Sequence, residues 1–154
     1  MAALEALSQS VRWNCDHMKV ELAAIVHRDW LRANDVHVSP EWSARSLSLG
    51  EYRVAVIDAE PVGFLRHSWF WGTIPYMELV LVLAPVRRHG IGTALLKHWE
   101  AAMILRGARI LMTSSMADEP EPKAWHRRNG YRETGQLTLG SLQPTPEVFF
   151  IKEV

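Results

Sequence analysis

The amino-acid sequence predicts a mixed α/β fold in which helices flank one central β-sheet. Residues 77–84 are apolar except for Glu78, and such an unalternating run is typical of a strand buried on both faces at the middle of a sheet. A basic turn with two glycines follows, and apolar side chains then recur at helical spacing as far as Arg106. Further apolar runs of strand length, bounded by turn residues, lie on both sides of this strand–turn–helix unit.

The residues before position 50 carry the weakest pattern. We expect residues 1–10 to form a mobile or weakly helical lead-in and residues 11–15 to form a short first strand. Asn14 or Asp16 is suited to cap a helix that runs to about Arg32. The inner stripe of this helix is expected to comprise Met18, Leu22, Ile25 and Val26.

Local signals define the other elements more sharply. A second helix is predicted to begin at residues 39–41, where a serine cap, a proline and a glutamate follow one another. Residues 51–57 and 62–70 indicate two paired strands joined by the polar turn 58–61. After the central unit, a strand, a helix and two strands are predicted over residues 108–113, 120–130, 131–139 and 147–152.

The composition predicts one globular domain that spans residues 1–154. Apolar residues make up 48% and charged residues 22% of the chain, as in soluble proteins with a core. The 17 basic and 17 acidic side chains give zero formal net charge, which argues against binding of nucleic acid through a basic face. The one cysteine, Cys15, excludes an intrachain disulfide and fits a reducing compartment. Because we find neither a signal-peptide pattern nor a bilayer-spanning apolar run, we expect a cytoplasmic protein without membrane contact.

The turn between the central strand and its helix has the features of an anion site. The first amides of a helix have no intrahelical partner and can bind a phosphate. Glycines permit unusual φ values and the close approach of a ligand. The phosphate loop of nucleoside triphosphatases requires Gly-Lys-Ser/Thr, and the dinucleotide fingerprint requires a third glycine at position 95; both are missing. The turn reads Arg87-Arg88-His89-Gly90-Ile91-Gly92.

Two motifs resemble the signatures of the GNAT superfamily of N-acetyltransferases. The pattern Arg-x-x-Gly-x-Gly at residues 87–92 resembles the family's coenzyme A pyrophosphate loop. Residues 124–131, Ala-Trp-His-Arg-Arg-Asn-Gly-Tyr, resemble its second signature, aromatic-Tyr-x-x-x-Gly-Phe at a helix end. The resemblance implies a GNAT fold, with a mixed, mostly antiparallel sheet of six to seven strands flanked by helices. The predicted order of strand, two helices, three strands, helix, strand, helix and two strands matches that fold.

The resemblance also implies a reaction and its cofactor. An N-acetyltransferase of this family uses acetyl-CoA, and a primary amine attacks the thioester directly. The acceptor would be a small-molecule amine or a protein amino group, and a homodimer stays open because many relatives are dimers. The pyrophosphate would lie on the amides of residues 88–93, and the pantetheine arm would pair with the central strand where that strand splays from its neighbour. The implied cofactor-binding residues are Leu81, Val82, Leu83, Arg87, Arg88, His89, Gly90, Ile91, Gly92 and Thr93.

Two residues are candidates for proton transfer. An alkyl ammonium group, with a pKa of about 10.4, is mostly protonated at pH 7 and needs a base. Glu78 is the candidate base because many GNAT enzymes carry a carboxylate on this strand, and the alternative is a glutamate at the rim of the sheet. His126 stands where the family has a tyrosine and is the candidate general acid. Its place near a helix end favours the charged form, while Arg127 and Arg128 oppose it. The alternatives are a structural histidine, or a ligand-facing one in an enzyme where water protonates the thiolate.

The departure at His126 keeps a second function open, that of a GNAT-fold module that binds coenzyme A with little catalysis, as a sensor or partner protein.

Trp69 and Trp71 flank the turn before the central strand, and they form either the wall of an acceptor pocket or packing beneath a hairpin. The histidines show no metal-ligand spacing, so no metal site is predicted.

Overall fold

One seven-stranded sheet organises the protein. The computed structural model describes residues 14–154; residues 1–13, which hold the expected lead-in and most of the expected first strand, lie outside the described residues. The sheet has the strand order β1-β2-β3-β4-β5-β7-β6. Its strands are β1 (Met18–Leu22), β2 (Tyr52–Ile57), β3 (Glu60–Phe70), β4 (Ile74–Val82), β5 (Ile110–Met116), β6 (Arg132–Leu137) and β7 (Glu147–Glu153). The helices are α1 (Arg28–Asn34), α2 (Pro40–Ser48), α3 (Ile91–Leu105) and α4 (Pro120–Arg128).

The strand pairing confirms the predicted fold class. Neighbouring strands are antiparallel throughout, except that β4 and β5 are parallel. The sheet is therefore mixed and mostly antiparallel. Within residues 14–154 the order of strands and helices is also the predicted one, although the first strand and the first helix lie at other residues than expected.

The start of α2 and the β2–β3 hairpin lie where the local sequence signals predict them. Ser39 Oγ accepts a hydrogen bond from the backbone N–H of Trp42 at 3.2 Å, and Pro40 is the first residue of α2, as predicted. β2 and β3 form the predicted hairpin. Its tight turn consists of Asp58 and Ala59, both in the left-handed region, with φ values of 50° and 68°.

The prediction of a long first helix is wrong. Residues 18–22 form β1, which pairs with β2 so that Val20 lies opposite Ala55, and α1 begins only at residue 28. Ile25 and Val26, expected on an inner helical stripe, are 72% and 80% exposed. The end of the expected first strand is wrong as well, because Cys15 begins a short 3-10 turn. The apolar spacing of so short a segment fits a helix or a strand, and the hydrogen bonds offered by the edge of β2 select the strand.

The sheet buries a different core on each face. Leu95, Leu96 and Trp99 of α3 pack against one face, which we call the α3 face. Leu31 of α1 packs with Tyr52 and Phe64 on the other, the α1–α2 face. In β4, Val80 and Val82 belong to the α3 face, whereas Leu79 and Leu81 belong to the α1–α2 face.

The central strand β4 lies in the middle of the sheet, as predicted, but it is not buried along its whole length. Residues 78–83 are half-buried. β4 pairs with β5 at two positions, Tyr76 with Met112 and Met77 with Thr113. Beyond Met77 the described strands separate, so the second half of β4 has a free edge. We call the opening between β4 and β5 the fork.

The α3-face core sets a testable stability difference along α3. Leu96 is fully buried, whereas Leu105 on the same helix is 88% exposed. Leu96→Ala should lower the free energy of unfolding by about 2–5 kcal/mol, because it removes buried methyl groups and leaves a cavity. Leu105→Ala should change it by less than about 0.5 kcal/mol. Urea unfolding of both variants checks this, and equal losses would contradict the described packing of α3.

Candidate functional site

The turn before α3 bends the backbone twice into the left-handed region. Arg88 has a φ of 65° and Gly90 a φ of 79°. Gly90 immediately precedes α3, and its carbonyl accepts the first helical bond from Ala94 N at 2.9 Å. The free first amides of α3 therefore follow directly after this bend. Gly92 lies inside the first turn of α3 without a positive φ, so the expectation of an unusual φ holds for Gly90 and is wrong for Gly92.

Of the three basic side chains at residues 87–89, two bind backbone carbonyls of the protein itself. Arg87 Nε donates to the Val82 carbonyl at 2.8 Å. His89 Nδ1 donates to the carbonyl of Arg87 at 2.9 Å, so this nitrogen carries a proton. Among the described residues, the Arg88 side chain has no such partner and is exposed. Arg88 and the helix amides thus form the part of the turn that is free to meet an external anion.

Gly92 keeps a space open beside the free edge of β4. A Cβ at this position would lie 3.8 Å from the Trp125 ring and 3.9 Å from the side chains of Val80 and Val82. These are ordinary contacts, so the packing of the protein itself does not require a glycine here. The missing side chain leaves room for a ligand between α3 and the fork.

The ladder between β3 and β4 decides which backbone groups of β4 face the fork. The Leu83 N–H donates to the Val62 carbonyl at 2.9 Å, and the Leu83 carbonyl accepts a bond within the following turn. Bonded and non-bonded pairs alternate in an antiparallel ladder. The backbone groups of Leu81 therefore also face β3, and those of Val80 and Val82 face the fork. Of the three strand residues implied by the sequence, only Val82 has backbone groups directed into the opening.

Glu78 belongs to an ion network on the α1–α2 face. Its carboxylate contacts the Arg66 guanidinium and accepts a hydrogen bond from Ser68 Oγ at 2.6 Å. Arg66 Nε also donates to Asp35 Oδ2 at 2.7 Å. Arg66 and Asp35 are buried, and the Glu78 side chain is 22% exposed. Glu78 is therefore not an isolated glutamate at the rim, because both of its oxygens already have partners.

The same network fastens the loop between α1 and α2 to the sheet. Asp35, which follows α1, accepts a second hydrogen bond from Tyr52 Oη at 2.6 Å. Burial, together with this bond, raises the pKa of Tyr52, so the phenol remains a donor. The loop is thereby held on the α1–α2 face, against β2 and β3.

His126 is a buried, neutral side chain of the α3-face core. Its ring lies 5.1 Å from the ring of Phe150 and 6.3 Å from that of Tyr131. Burial lowers the pKa of His126 to about 4, although contacts with the Ser114 backbone and the Glu147 charge act in the opposite direction. About one molecule in a thousand would then carry the imidazolium at pH 7. Desolvation thus outweighs the helix end, which favours the charged form.

Sequence reasoning missed a second group of polar side chains on the α1–α2 face. The hydroxyls of Tyr76 and Ser114 are 2.6 Å apart, and Ser114 Oγ donates to Glu147 Oε1 at 2.6 Å. These residues lie on β4, β5 and β7, so no local motif joins them. The available signal was the alternation along β4, which puts Tyr76 on the same face as Glu78 because Met77 between them enters the other core.

The two tryptophans of the β3–β4 hairpin do not line the face that carries Glu78. Trp69 packs on the α3 face, where its ring lies 6.0 Å from that of His67 and the Arg106 guanidinium lies 4.6 Å from its centroid. Trp71 is 82% exposed at the hairpin tip. The geometry favours the packing alternative for Trp69.

Two kinds of site find no support within residues 14–154. None of the helices there combines the length and apolar character needed to cross a membrane. In the same residues, no group of three His, Cys, Asp or Glu side chains is arranged to hold a metal ion.

Comparisons with known proteins agree with this geometry. A sequence profile described as "Acetyltransferase (GNAT) family" matches residues 18–131. A search of curated proteins gave no match. Ard1 from Thermoplasma volcanium is similar in structure at 14% identity, covering 90% of this chain and 98% of that chain with a TM-score of 0.78. Naa50 from Arabidopsis thaliana, in complex with the bisubstrate analogue CoA-Ac-MVNAL, is similar at 18% identity, 90% and 99% coverage and a TM-score of 0.74. An aminoglycoside 6'-acetyltransferase type Ii is similar at 21% identity, 88% and 96% coverage and a TM-score of 0.73.

The buried histidine predicts a pH-dependent stability. The pKa of His126 is about 4 in the folded protein and about 6.5 when unfolded, so the unfolded chain binds the proton more readily and stability falls as the pH drops below 6.5. Between pH 6.5 and 4.5, His126→Leu should lose about 2 kcal/mol less stability than the parent protein. Urea unfolding at several pH values measures this. His37→Gln, at an exposed position, is the control, and an unaltered pH dependence in His126→Leu would contradict the burial argument.

Proposed function

Because the chain belongs to the GNAT family of acetyl-CoA-dependent N-acetyltransferases, we propose that it acetylates a primary amine that attacks the thioester directly. The acceptor is a small-molecule amine or a protein amino group. The observation that carries the proposal is the position of the anion-binding turn: the free amides of α3 begin beside the free edge of β4.

The residues present fit coenzyme A. The turn offers the amides of residues 88–93, the unpartnered Arg88 and open space above Gly90, where an added Cβ would meet nothing within 4 Å. The backbone groups of Val80 and the N–H of Val82 face the fork and can bond the amides of a pantetheine arm, whereas the Val82 carbonyl already accepts from Arg87 Nε. When bound, acetyl-CoA supplies an activated acetyl group and a thiol leaving group. The residues proposed to hold it are thus those of the turn together with Val80 and Val82.

Glu78 is proposed to attract the acceptor amine. The fork closes at Met77, and the next residue carries a carboxylate on the α1–α2 face. Arg66 and Ser68 bind both of its oxygens and fix its orientation. Asp35 and Glu78 share the one guanidinium of Arg66, so the network as a whole keeps a net negative charge that can attract an ammonium group. Substitution of Glu78 by glutamine should therefore act mainly on the KM of the amine.

Cofactor binding can be tested with three alanine substitutions. Gly90→Ala places a side chain at a φ of 79°, and Gly107→Ala does the same at 89° at the opposite end of α3; neither Cβ would meet an atom within 4 Å. Both should lose about 1 kcal/mol of stability, whereas only Gly90→Ala should weaken acetyl-CoA binding, by about tenfold or more. Gly92→Ala should stabilise α3 by about 0.5–1 kcal/mol and nevertheless weaken binding, because it fills the ligand space.

Isothermal calorimetry with acetyl-CoA, combined with urea unfolding, separates these effects. Micromolar binding, about −8 kcal/mol, is expected for the parent protein. Absence of binding at millimolar acetyl-CoA would overturn the proposal. Equal loss of affinity in the Gly90→Ala and Gly107→Ala proteins would remove the turn from the site.

Water, rather than His126, is proposed to protonate the leaving thiolate. With a pKa lowered to about 4 by burial, His126 lacks the proton that a general acid needs at pH 7. His126→Phe should therefore retain turnover to within about threefold, with unchanged affinity for acetyl-CoA. A general acid that holds its proton at pH 7 would instead contribute about 10²-fold. Steady-state release of coenzyme A thiol measures this. A loss of about 10²-fold in kcat alone would reinstate His126 as the acid.

A second candidate function is a GNAT-fold module that binds coenzyme A with little catalysis. Its support is the replacement of the family's tyrosine by His126, a buried and neutral side chain. Micromolar binding of acetyl-CoA without amine-dependent thiol release, across alkyl amines, polyamines and peptides, would favour this function over the transferase.

A further inference from the structure

Three hydroxyl and carboxyl groups on the α1–α2 face form one hydrogen-bonded chain across three strands. Tyr76 Oη lies 2.6 Å from Ser114 Oγ, and Ser114 Oγ lies 2.6 Å from Glu147 Oε1. These short distances are typical of strong O–H···O bonds. β4, β5 and β7 are neighbours in the sheet, so the chain runs across the strands from the fork towards the opposite edge.

The direction of the hydrogen bonds follows from the number of protons available. A carboxylate can only accept, so the single hydroxyl proton of Ser114 is donated to Glu147. Ser114 Oγ must then accept from Tyr76, whose own proton is thereby used. The lone pairs of Tyr76 Oη remain able to accept a hydrogen bond. The chain therefore begins with an acceptor near the fork and ends on a negative charge.

The charge of Glu147 has no cationic partner among residues 14–154. Its second oxygen accepts a hydrogen bond from Gln143 Nε2 at 2.9 Å, so both of its described partners, Ser114 and Gln143, are neutral. Glu78 differs, because it forms an ion pair with the Arg66 guanidinium. Glu147 is consequently the carboxylate on this face that can take up a proton without breaking an ion pair.

The free end of the chain lies where the fork closes. Tyr76 occupies one of the two paired positions between β4 and β5, next to Met77, and its ring stacks on Phe149 at 6.2 Å. Glu78, two residues further along β4, lies on the same face. An ammonium group attracted by Glu78 would thus meet the hydroxyl of Tyr76.

We propose that Tyr76, Ser114 and Glu147 form a proton relay that deprotonates the acceptor ammonium, with Glu147 as the final proton acceptor. The proposal rests on the proposed function and assigns the base that the transferase needs. An N–H proton of the ammonium passes to Tyr76 Oη, the phenolic proton passes to Ser114 Oγ, and the serine proton passes to Glu147. The tyrosine and the serine each lose and gain one proton, and the carboxylate becomes a neutral acid.

The neutral amine is then free to attack. Its nitrogen forms the bond to the acetyl carbon, the bond from that carbon to sulfur breaks, and the sulfur leaves with the electron pair. The second proton lost by the nitrogen reaches the sulfur through water, which gives the amide and the free thiol. Glu147 returns its proton to solvent, so the net reaction converts ammonium and thioester to amide, thiol and one proton.

The charged and titratable groups around the chain are compatible with this role. Glu147 and Arg66 act on Tyr76 in opposite directions, while burial is the main reason that its pKa is raised. Tyr76 therefore stays protonated at pH 7 and passes a proton on rather than acting as a phenolate base. Glu78 lies on the same face. His126 lies in the α3-face core, and burial lowers its pKa to about 4 although the charge of Glu147 acts in the opposite direction.

The test compares the parent protein with Tyr76→Phe, Ser114→Ala and Glu147→Gln, all assayed with saturating acetyl-CoA. Tyramine, spermidine and trialanine serve as acceptors, and the amine with the fastest turnover is used for all variants. Each substitution should lower kcat/KM for the amine by about 10²-fold at pH 7, with acetyl-CoA affinity changed by less than twofold. Glu133→Gln on β6 removes an exposed carboxylate that pairs with Arg127 and has no bond to the chain, and it should leave kcat/KM unchanged.

Two features distinguish a relay from a structural role. The deficit of Glu147→Gln should shrink as the pH rises towards the pKa of the amine, about 10.4 for an alkyl amine and about 8 for the α-amino group of trialanine, because solvent then performs the deprotonation. The double variant Tyr76→Phe/Glu147→Gln should be no worse than either single variant, since one broken link interrupts the whole chain. A pH-independent deficit, or multiplying losses, would overturn the relay.

A readout on the free protein tests the contacts without acetyl-CoA. The Tyr76 hydroxyl proton should give a slowly exchanging, low-field proton NMR signal that is absent in Tyr76→Phe and exchanges faster in Ser114→Ala. Absence of such a signal in the parent protein would overturn the hydrogen-bonded chain.

The outcomes also separate this proposal from the one on which it rests. If acetyl-CoA binds and an amine is acetylated, but Glu147→Gln keeps full kcat/KM, the relay alone is overturned. If acetyl-CoA binds and none of the three amines is acetylated, the transferase function and the relay are overturned together.

Discussion

The short parallel pairing of β4 with β5 is the constraint on which the rest of the site depends. Two parallel strands need a crossover connection, and α3 supplies it between β4 and β5. The first turn of α3 must therefore lie at the end of β4, where its free amides come next to the strand. Because the pairing ends at Met77, the remainder of β4 keeps unsatisfied backbone groups beside those amides. Free helix amides and an open strand edge thus arise together from one topological feature.

The face opposite α3 carries the polar chemistry because its core is small and its ion network is extensive. Arg66 is buried between Asp35 and Glu78, and such a charge is tolerated only when it is paired. This pairing fastens the α1–α2 loop and orients Glu78 at the same time. Glu147 is held by neutral donors instead. The two carboxylates of this face therefore differ in their partners, an ion pair for Glu78 and neutral donors for Glu147, and this difference is the basis of the two roles proposed for them.

Burial decides the protonation state of the residue that the second signature motif singles out. The position of His126 near a helix end favours a charged imidazole, yet the rings of Phe150 and Tyr131 exclude water from it. Desolvation is the larger effect and keeps the ring neutral. The motif therefore identified His126 as a residue of interest, whereas the packing of its neighbours determined the protonation state of its ring.

The sequence by itself determined the features that rest on neighbouring residues in the chain. These are the cap at Ser39, the β2–β3 hairpin, the basic turn with its left-handed Gly90 and the family to which both motifs point. Only the tertiary structure decided that residues 18–22 form an edge strand, that Val80 and Val82 face the fork, and that Tyr76, Ser114 and Glu147 meet. Strand partners, ladder alternation and desolvation depend on residues far apart in the chain, and a local pattern contains no information about which of them come into contact.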